Sequence, residues 1–239
     1  MSLSSALGLI QTALELGLIS SLTVLALFLS YSMLNVCDLS TDGCFTLGAV
    51  VGAAVAISGH PYLSIPAAML SGVVSGFITA ILQTKMGVNS LLSGIIVNTA
   101  LYSVNIGVMG GSSILNMNKT ETVFTRAKDM LSGGILGSQY KLFVIVIAVL
   151  AIAVILGLFL RTRLGLAIRA TGNNPDMVRS SSINPAFTTI VGLCVANSFT
   201  ALSGCLRDSG SSPSACIGTV AVACVRAASN DPRGAEAAC

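Results

Sequence analysis

Residues 161–184 read RTRLGLAIRATGNNPDMVRSSSIN, a polar interval held between two strongly apolar segments. Arg161, Arg163, Arg169 and Arg179 stand against one acid, Asp176, and a basic interval of this kind marks the cytoplasmic side of a membrane protein. Asn174-Pro175 and Asn184-Pro185 each place a capping side chain before a proline, whose missing N–H costs nothing at the first helical position. These pairs predict a short helix over about 175–182 and another helix starting at 185. A short capped helix on that side is either a docking surface for another protein or part of a basic loop that only sets the topology.

Composition supports the membrane reading. Of 239 residues, 54% are hydrophobic and 9% charged, with a mean hydropathy of +0.88, too little polar surface for a soluble domain. The net charge of +3 is spread thinly, with no Lys/Arg run, so nucleic acid is not a predicted partner. No G-x-x-x-x-G-K-[ST] stretch is present, which excludes nucleotide binding by that route. The seven cysteines include no C-x-x-C, and His60 is the single histidine, so neither metal nor cofactor is predicted. The first charge is Glu15, so the basic flank of a cleavable signal peptide is missing and no cleavage is expected.

Outward from the basic interval, residues 140–160 and 186–206 each form an apolar run long enough to cross a bilayer, at about 20 residues per span. Residues 5–36 exceed one span and predict an amphipathic or membrane-entry helix over 2–14 followed by a first span over about 15–35. The next stretch, Asn35-Val-Cys-Asp-Leu-Ser-Thr-Asp-Gly43, carries Asp38 and Asp42 ahead of a short apolar run, 45–59. It predicts either a broken or re-entrant helix near 36–44 whose acids line a cavity, or an interfacial turn with solvated acids. Further spans are predicted over 62–82 and 89–110. Within the second, Asn98, Tyr102 and Asn105 are spaced to share one helical face, as pathway lining or as glue between helices. Residues 111–139 form a polar connection with a helical piece near 122–132. Because 140–160 ends at Arg161, that connection falls on the extracytoplasmic side, Lys85 inside and the N-terminus outside.

Glycine pairs at four-residue spacing, Gly48 with Gly52, Gly72 with Gly76, Gly107 with Gly111 and Gly133 with Gly137, predict close approach of helix backbones. The predicted fold is therefore all-α: a polytopic transmembrane bundle of about six membrane segments over 1–206, with a cytoplasmic loop at 161–185. Residues 207–239 turn rich in Ala, Ser, Cys and Arg and are expected to be poorly ordered.

Two landmarks, Asn35-Val-Cys-Asp-Leu-Ser-Thr-Asp-Gly-Cys-Phe-Thr-Leu-Gly-Ala49 and Ala167-Ile-Arg-Ala-Thr-Gly-Asn-Asn-Pro-Asp-Met-Val-Arg179, resemble the permease subunits of bacterial ABC importers of the branched-chain amino acid and ribose type. The resemblance runs over roughly residues 7–206. It implies a multi-pass protein of the bacterial cytoplasmic membrane, surrounded by lipid, that is not itself an enzyme. Its implied partners are ABC ATPase subunits, an extracytoplasmic solute-binding protein and a second permease subunit, itself or a paralogue. The loop matching 161–184 would carry a coupling helix seated in a cleft of the ATPase, with Arg169, Gly172, Asn173, Asn174, Pro175, Met177 and Val178 at the contact. The segment matching Asp38–Gly43 would be a helix break near the translocation pathway. The expected solute is a small metabolite such as an amino acid.

Two departures stand out. Ser181 and Ser182 replace an apolar residue and a glycine, leaving Met177, Val178 and Ile183 as the apolar face of the coupling helix. Relatives also continue past Ser203-Gly204 with further apolar spans, which suggests a shifted frame near Leu206 and an incomplete bundle with Asn197 and Ser198 facing lipid. The competing readings are a secondary transporter or channel binding a coupling ion at Asp38 and Asp42, and a truncated permease that inserts without transporting.

Overall fold

The computed structural model describes residues 3–110, 140–181 and 184–210. Their helices are α1, Leu3–Phe28, running on through a π-helical turn at Leu29–Met33; α2, Thr41–Ile57; α3, Pro61–Thr84; α4, Ser90–Val108; α5, Tyr140–Arg161; α6, Arg163–Asn173; α7, Pro175–Ser180; and α8, Pro185–Gly210. No strand occurs among the described residues.

Helix α8 is the axis of the bundle. Its apolar window is 67% buried, against 28%, 33% and 28% for the spans in α1, α3 and α4, so it is wrapped by protein where the others face outward. Glycines set the contacts. A Cβ on Gly48 would overlap the carbonyl of Ala201, and one on Gly52 would meet Cys205 Sγ at 2.5 Å. Cβ atoms on Gly72 and Gly76 would meet the carbonyls of Asn197 and Leu193 at 2.5 and 2.7 Å. These two glycine pairs thus let α2 and α3 lie backbone to backbone on α8, as their spacing predicts. Gly107 meets nothing within 4 Å and is not a packing glycine, while Gly111, Gly133 and Gly137 lie outside the described residues.

The same contacts fix helix directions. Thr23 and Ser203 hydroxyls meet at 2.7 Å, and Leu34 fills the space beside Gly192, so α1 runs antiparallel to α8. Cys44, Gly48 and Gly52 climb past Asn197, Ala201 and Cys205, so α2 runs parallel to it, and α3 returns. Helix α4 rises beside α2, with Asn105 Nδ2 donating to Thr46 Oγ1 at 2.8 Å. Helix α5 packs on α1, where Ile145 and Leu156 join Ile19, Leu22 and Leu29 in one core cluster. Helix α6, which continues from α5, touches the π-helical turn ending α1 and packs on α8, so α5 ends beside the start of α8. Directions therefore alternate, and the described residues of 161–184 lie with Lys85 at one end, the basic end, opposite the start of α1.

Helices α1, α3, α4 and α8 are each long and apolar enough to cross a membrane, and α5 counted with α6 makes a fifth. Helix α2, with 17 residues, covers about 25 Å at about 1.5 Å per residue, short of a roughly 30 Å hydrocarbon layer. It crosses only together with the non-helical residues 35–40 that precede it.

Three expectations change. No break separates 2–14 from 15–35: α1 is continuous, and Gln11 Nε2 donates to Glu15 Oε1 at 3.4 Å on one helical face, giving the charge a partner without ending the helix. Asn197 and Ser198 do not face lipid; both are buried, because α2 and α3 close over that side of α8. Helix α8 also runs to Gly210, so the compositional change at 207 falls inside it, while residues 211–239 and the predicted piece at 122–132 lie outside the described residues.

Candidate functional site

The chain reverses after α1 at Asn35, whose φ of 56° lies in the left-handed region that asparagine tolerates. The N–H of Val36 reaches back to Ser30 O at 3.3 Å and the Ser30 hydroxyl donates to Val36 O at 3.2 Å, closing the end of the π-helical turn. Non-helical backbone then rises beside α8 until Thr41 starts α2. At the top of this rise Asp38 is 5% exposed. Its Oδ1 accepts from Ser40 N at 2.9 Å and Ser40 Oγ at 2.6 Å, and its Oδ2 accepts from Asn197 Nδ2 at 3.2 Å. Thr79 of α3 donates to Ser40 Oγ at 3.3 Å, and Cys44 Sγ donates to Asn197 O at 3.2 Å. Three helices therefore meet on one buried polar cluster, and the non-helical stretch is buried at Asp38 and Ser40 while Asn35 and Cys37 stay exposed.

The break near 36–44 is present, with Asp38 turned inward and Asp42 half-buried on the first turn of α2. The Asn98, Tyr102 and Asn105 stripe divides. Asn105 is buried against Thr46, Asn98 is half-buried with its Oδ1 beside Gly43, and Tyr102 is 55% exposed on the outside of the bundle. Four-residue steps drift around a helix, so the middle residue falls off the contact line that the outer two share.

At the basic end α5 and α6 meet at 74°. Helix α6 forms where the sequence predicts loop. Thr162 caps it, accepting from Gly165 N at 3.4 Å, and Gly165, Ile168 and Thr171 form its buried face against α5, α8 and the end of α1. Asn174 ends α6 and starts α7: its N–H donates to Ala170 O at 3.0 Å, while its Oδ1 accepts from Asp176 N at 3.1 Å and Met177 N at 3.2 Å. Pro175 follows at the first helical position, and Asn184 Oδ1 accepts from Ala186 N at 3.0 Å, so both capping pairs act as their sequence predicts. Helix α7 is two residues shorter than expected.

Arg161, Arg163, Arg169, Arg179, Asn173 and Asn174 are exposed at this end, with Gly172 half-buried. Met177 is 68% exposed, whereas Val178 is 4% exposed and turned into the protein. The expected apolar face of α7 is thus split: adjacent residues on a helix point about 100° apart, and only Met177 projects outward. Ile183 lies outside the described residues.

Asn197, Ser40, Thr79, Thr171 and Thr188 join these two clusters without having been singled out as candidates from sequence. Asn197 had a usable signal, as the one amide in the middle of the 186–206 span.

Apolar segments of alternating direction around a buried polar break, with a capped helix pair at one end, define a polytopic membrane protein. The sequence profile described as "Branched-chain amino acid transport system / permease component" matches residues 9–210, and the chain belongs to that family. It is 34% identical over 192 residues to the tyrosine transport system permease protein of Clostridioides difficile (strain R20291), covering 80% of this chain and 61% of that protein. It is 31% identical over 202 residues to an uncharacterized protein of Rickettsia prowazekii (strain Madrid E), covering 84% of this chain and 68% of that one. The chain therefore spans about three fifths of the length of the tyrosine-transport relative. No solved structure gives a significant match.

Proposed function

We propose that this chain is the membrane-spanning permease subunit of an ATP-driven importer in a bacterial cytoplasmic membrane, carrying an amino acid, with tyrosine the first solute to test. In this reading ATP is hydrolysed on partner ATPase subunits, a solute-binding protein delivers the solute from outside, and a second permease subunit completes the pathway. The observation that carries the reading is α7: six residues, capped by Asn174, presenting Met177 outward among exposed arginines at the basic end. An exposed apolar side chain at an end that also exposes Arg161, Arg163, Arg169 and Arg179 fits an apolar cleft with an acidic rim. Arg169, Gly172, Asn173, Pro175 and Val178 hold or flank that contact.

Asp42, Asn98 and Tyr102, which keep exposure along α2 and α4, line the solute path in this proposal. Asp38 and Asn105, both buried against neighbouring helices, shape it. ATPase closure moves the basic-end helices, and the bundle alternates between two arrangements biased by nucleotide.

The test is co-purification of the ATPase with the permease together with ATP-driven tyrosine uptake in proteoliposomes. Met177→Glu is expected to remove the ATPase from the complex, and Asn174→Ala, deleting a cap worth about 1 kcal/mol, to weaken it. Both variants should insert normally. Full retention of the ATPase by both would overturn the docking reading.

A further inference from the structure

Thr171 of α6 and Thr188 of α8 are both buried, and their hydroxyl oxygens lie 2.8 Å apart. Each is also placed to donate to its own helix, Thr171 to Ala167 O at 2.7 Å and Thr188 to Pro185 O at 2.8 Å. Two hydroxyl hydrogens serve three contacts. One threonine must therefore give up its own carbonyl to bond across, and if the helices part, both hydroxyls return to their own carbonyls with no buried donor orphaned. The contact holds α6 on α8 but costs almost nothing in hydrogen bonds to release.

Asp38 and Asn197 are the opposite case. Separating them strips a buried carboxyl oxygen of its donor from α8. Helix α6 touches the π-helical turn that leads into the break and packs on α8, whose middle carries Asn197. Thr188 lies about 13 Å below Asn197 along α8, at about 1.5 Å per residue.

We infer that the Thr171–Thr188 contact is a releasable joint at which the basic-end helix pair slips against α8 during transport, and that Thr171 and Thr188 are positioning residues for that movement. The inference rests on the proposed function, because the helix pair moves only if a partner drives it. Asn174 welds α7 to α6, so force on α7 reaches the joint directly.

The test is to lock the joint. In a transporter whose seven native cysteines are replaced, Thr171→Cys with Thr188→Cys sets two thiols where the hydroxyls now touch. Oxidation is expected to lower ATP-driven tyrosine uptake in proteoliposomes roughly tenfold or more while the ATPase still co-purifies, and a reductant should restore uptake. Unchanged uptake in the oxidised protein would overturn the joint, as would failure of the thiols to oxidise, which would deny the pairing itself. If the cysteine-free parent shows no ATP-driven uptake of any amino acid while retaining its fold, the functional proposal fails instead, and the joint falls with it.

Discussion

Asn197 Nδ2 donates to Asp38 Oδ2 at 3.2 Å across a sequence separation of 159 residues, tying the centre of the last described helix to the only long non-helical stretch between the first two among the described residues. With Asn197 0% exposed, no water replaces this donor from bulk. The contact decides where the broken segment 35–40 lies, because nothing within that segment other than Ser40 holds the Asp38 carboxyl.

Asn197→Ala is therefore expected to destabilise the detergent-solubilised protein by about 1–3 kcal/mol, the cost of leaving a buried acceptor unmade. Asn197→Asp should do worse, since it sets a second carboxyl against the first. Thermal unfolding of the three proteins checks both steps, and an unchanged midpoint in Asn197→Ala would mean the bond contributes no net stability.

The glycines separate into two kinds with opposite expected responses. Gly48→Ala drives a methyl into the Ala201 carbonyl and should cost about 1–3 kcal/mol by forcing α2 off α8. Gly107→Ala meets open space and should be neutral or stabilising by up to about 1 kcal/mol through helix propensity. Equal midpoints for the two variants would contradict the close α2–α8 approach.

Thiol accessibility discriminates lining from latching residues. In a cysteine-free, transport-competent protein, Tyr102→Cys and Asn98→Cys are expected to react with a water-soluble thiol reagent at rates that solute changes, and Asp38→Cys to stay inert. An inert Tyr102→Cys would instead place the exposed face of α4 against lipid or protein, removing it from the solute path.

The docking contact illustrates how much of the site was legible. Asn174-Pro175 and Asn184-Pro185 announced two helix starts because capping and proline geometry are local and need no tertiary partner. That Val178 faces inward while Met177 faces out was not readable, since a six-residue helix carries too few residues to show which side the protein covers. Helix α6 was hidden for a related reason: its arginines read as loop, and its buried face of Gly165, Ile168 and Thr171 contains one apolar side chain of any size.

What the sequence by itself determined is the membrane class, the position of the apolar segments and the alternation that puts 161–184 at the end opposite the start of α1, while a break near 36–44 was one of two readings and the packing glycines were two of four candidate pairs. All of these follow from hydrophobic run length, loop charge and residue-level backbone preference, which act over a turn or two of chain. What only the tertiary structure decided is which polar side chains meet. Asp38 fitted a cavity lining or a solvated turn until Asn197, Ser40 and Thr79 closed around it, and Asn197, expected to face lipid, is covered by α2 and α3. A buried polar group is tolerable only through partners brought from distant parts of the chain, so its environment is a property of the assembled bundle and of no single segment.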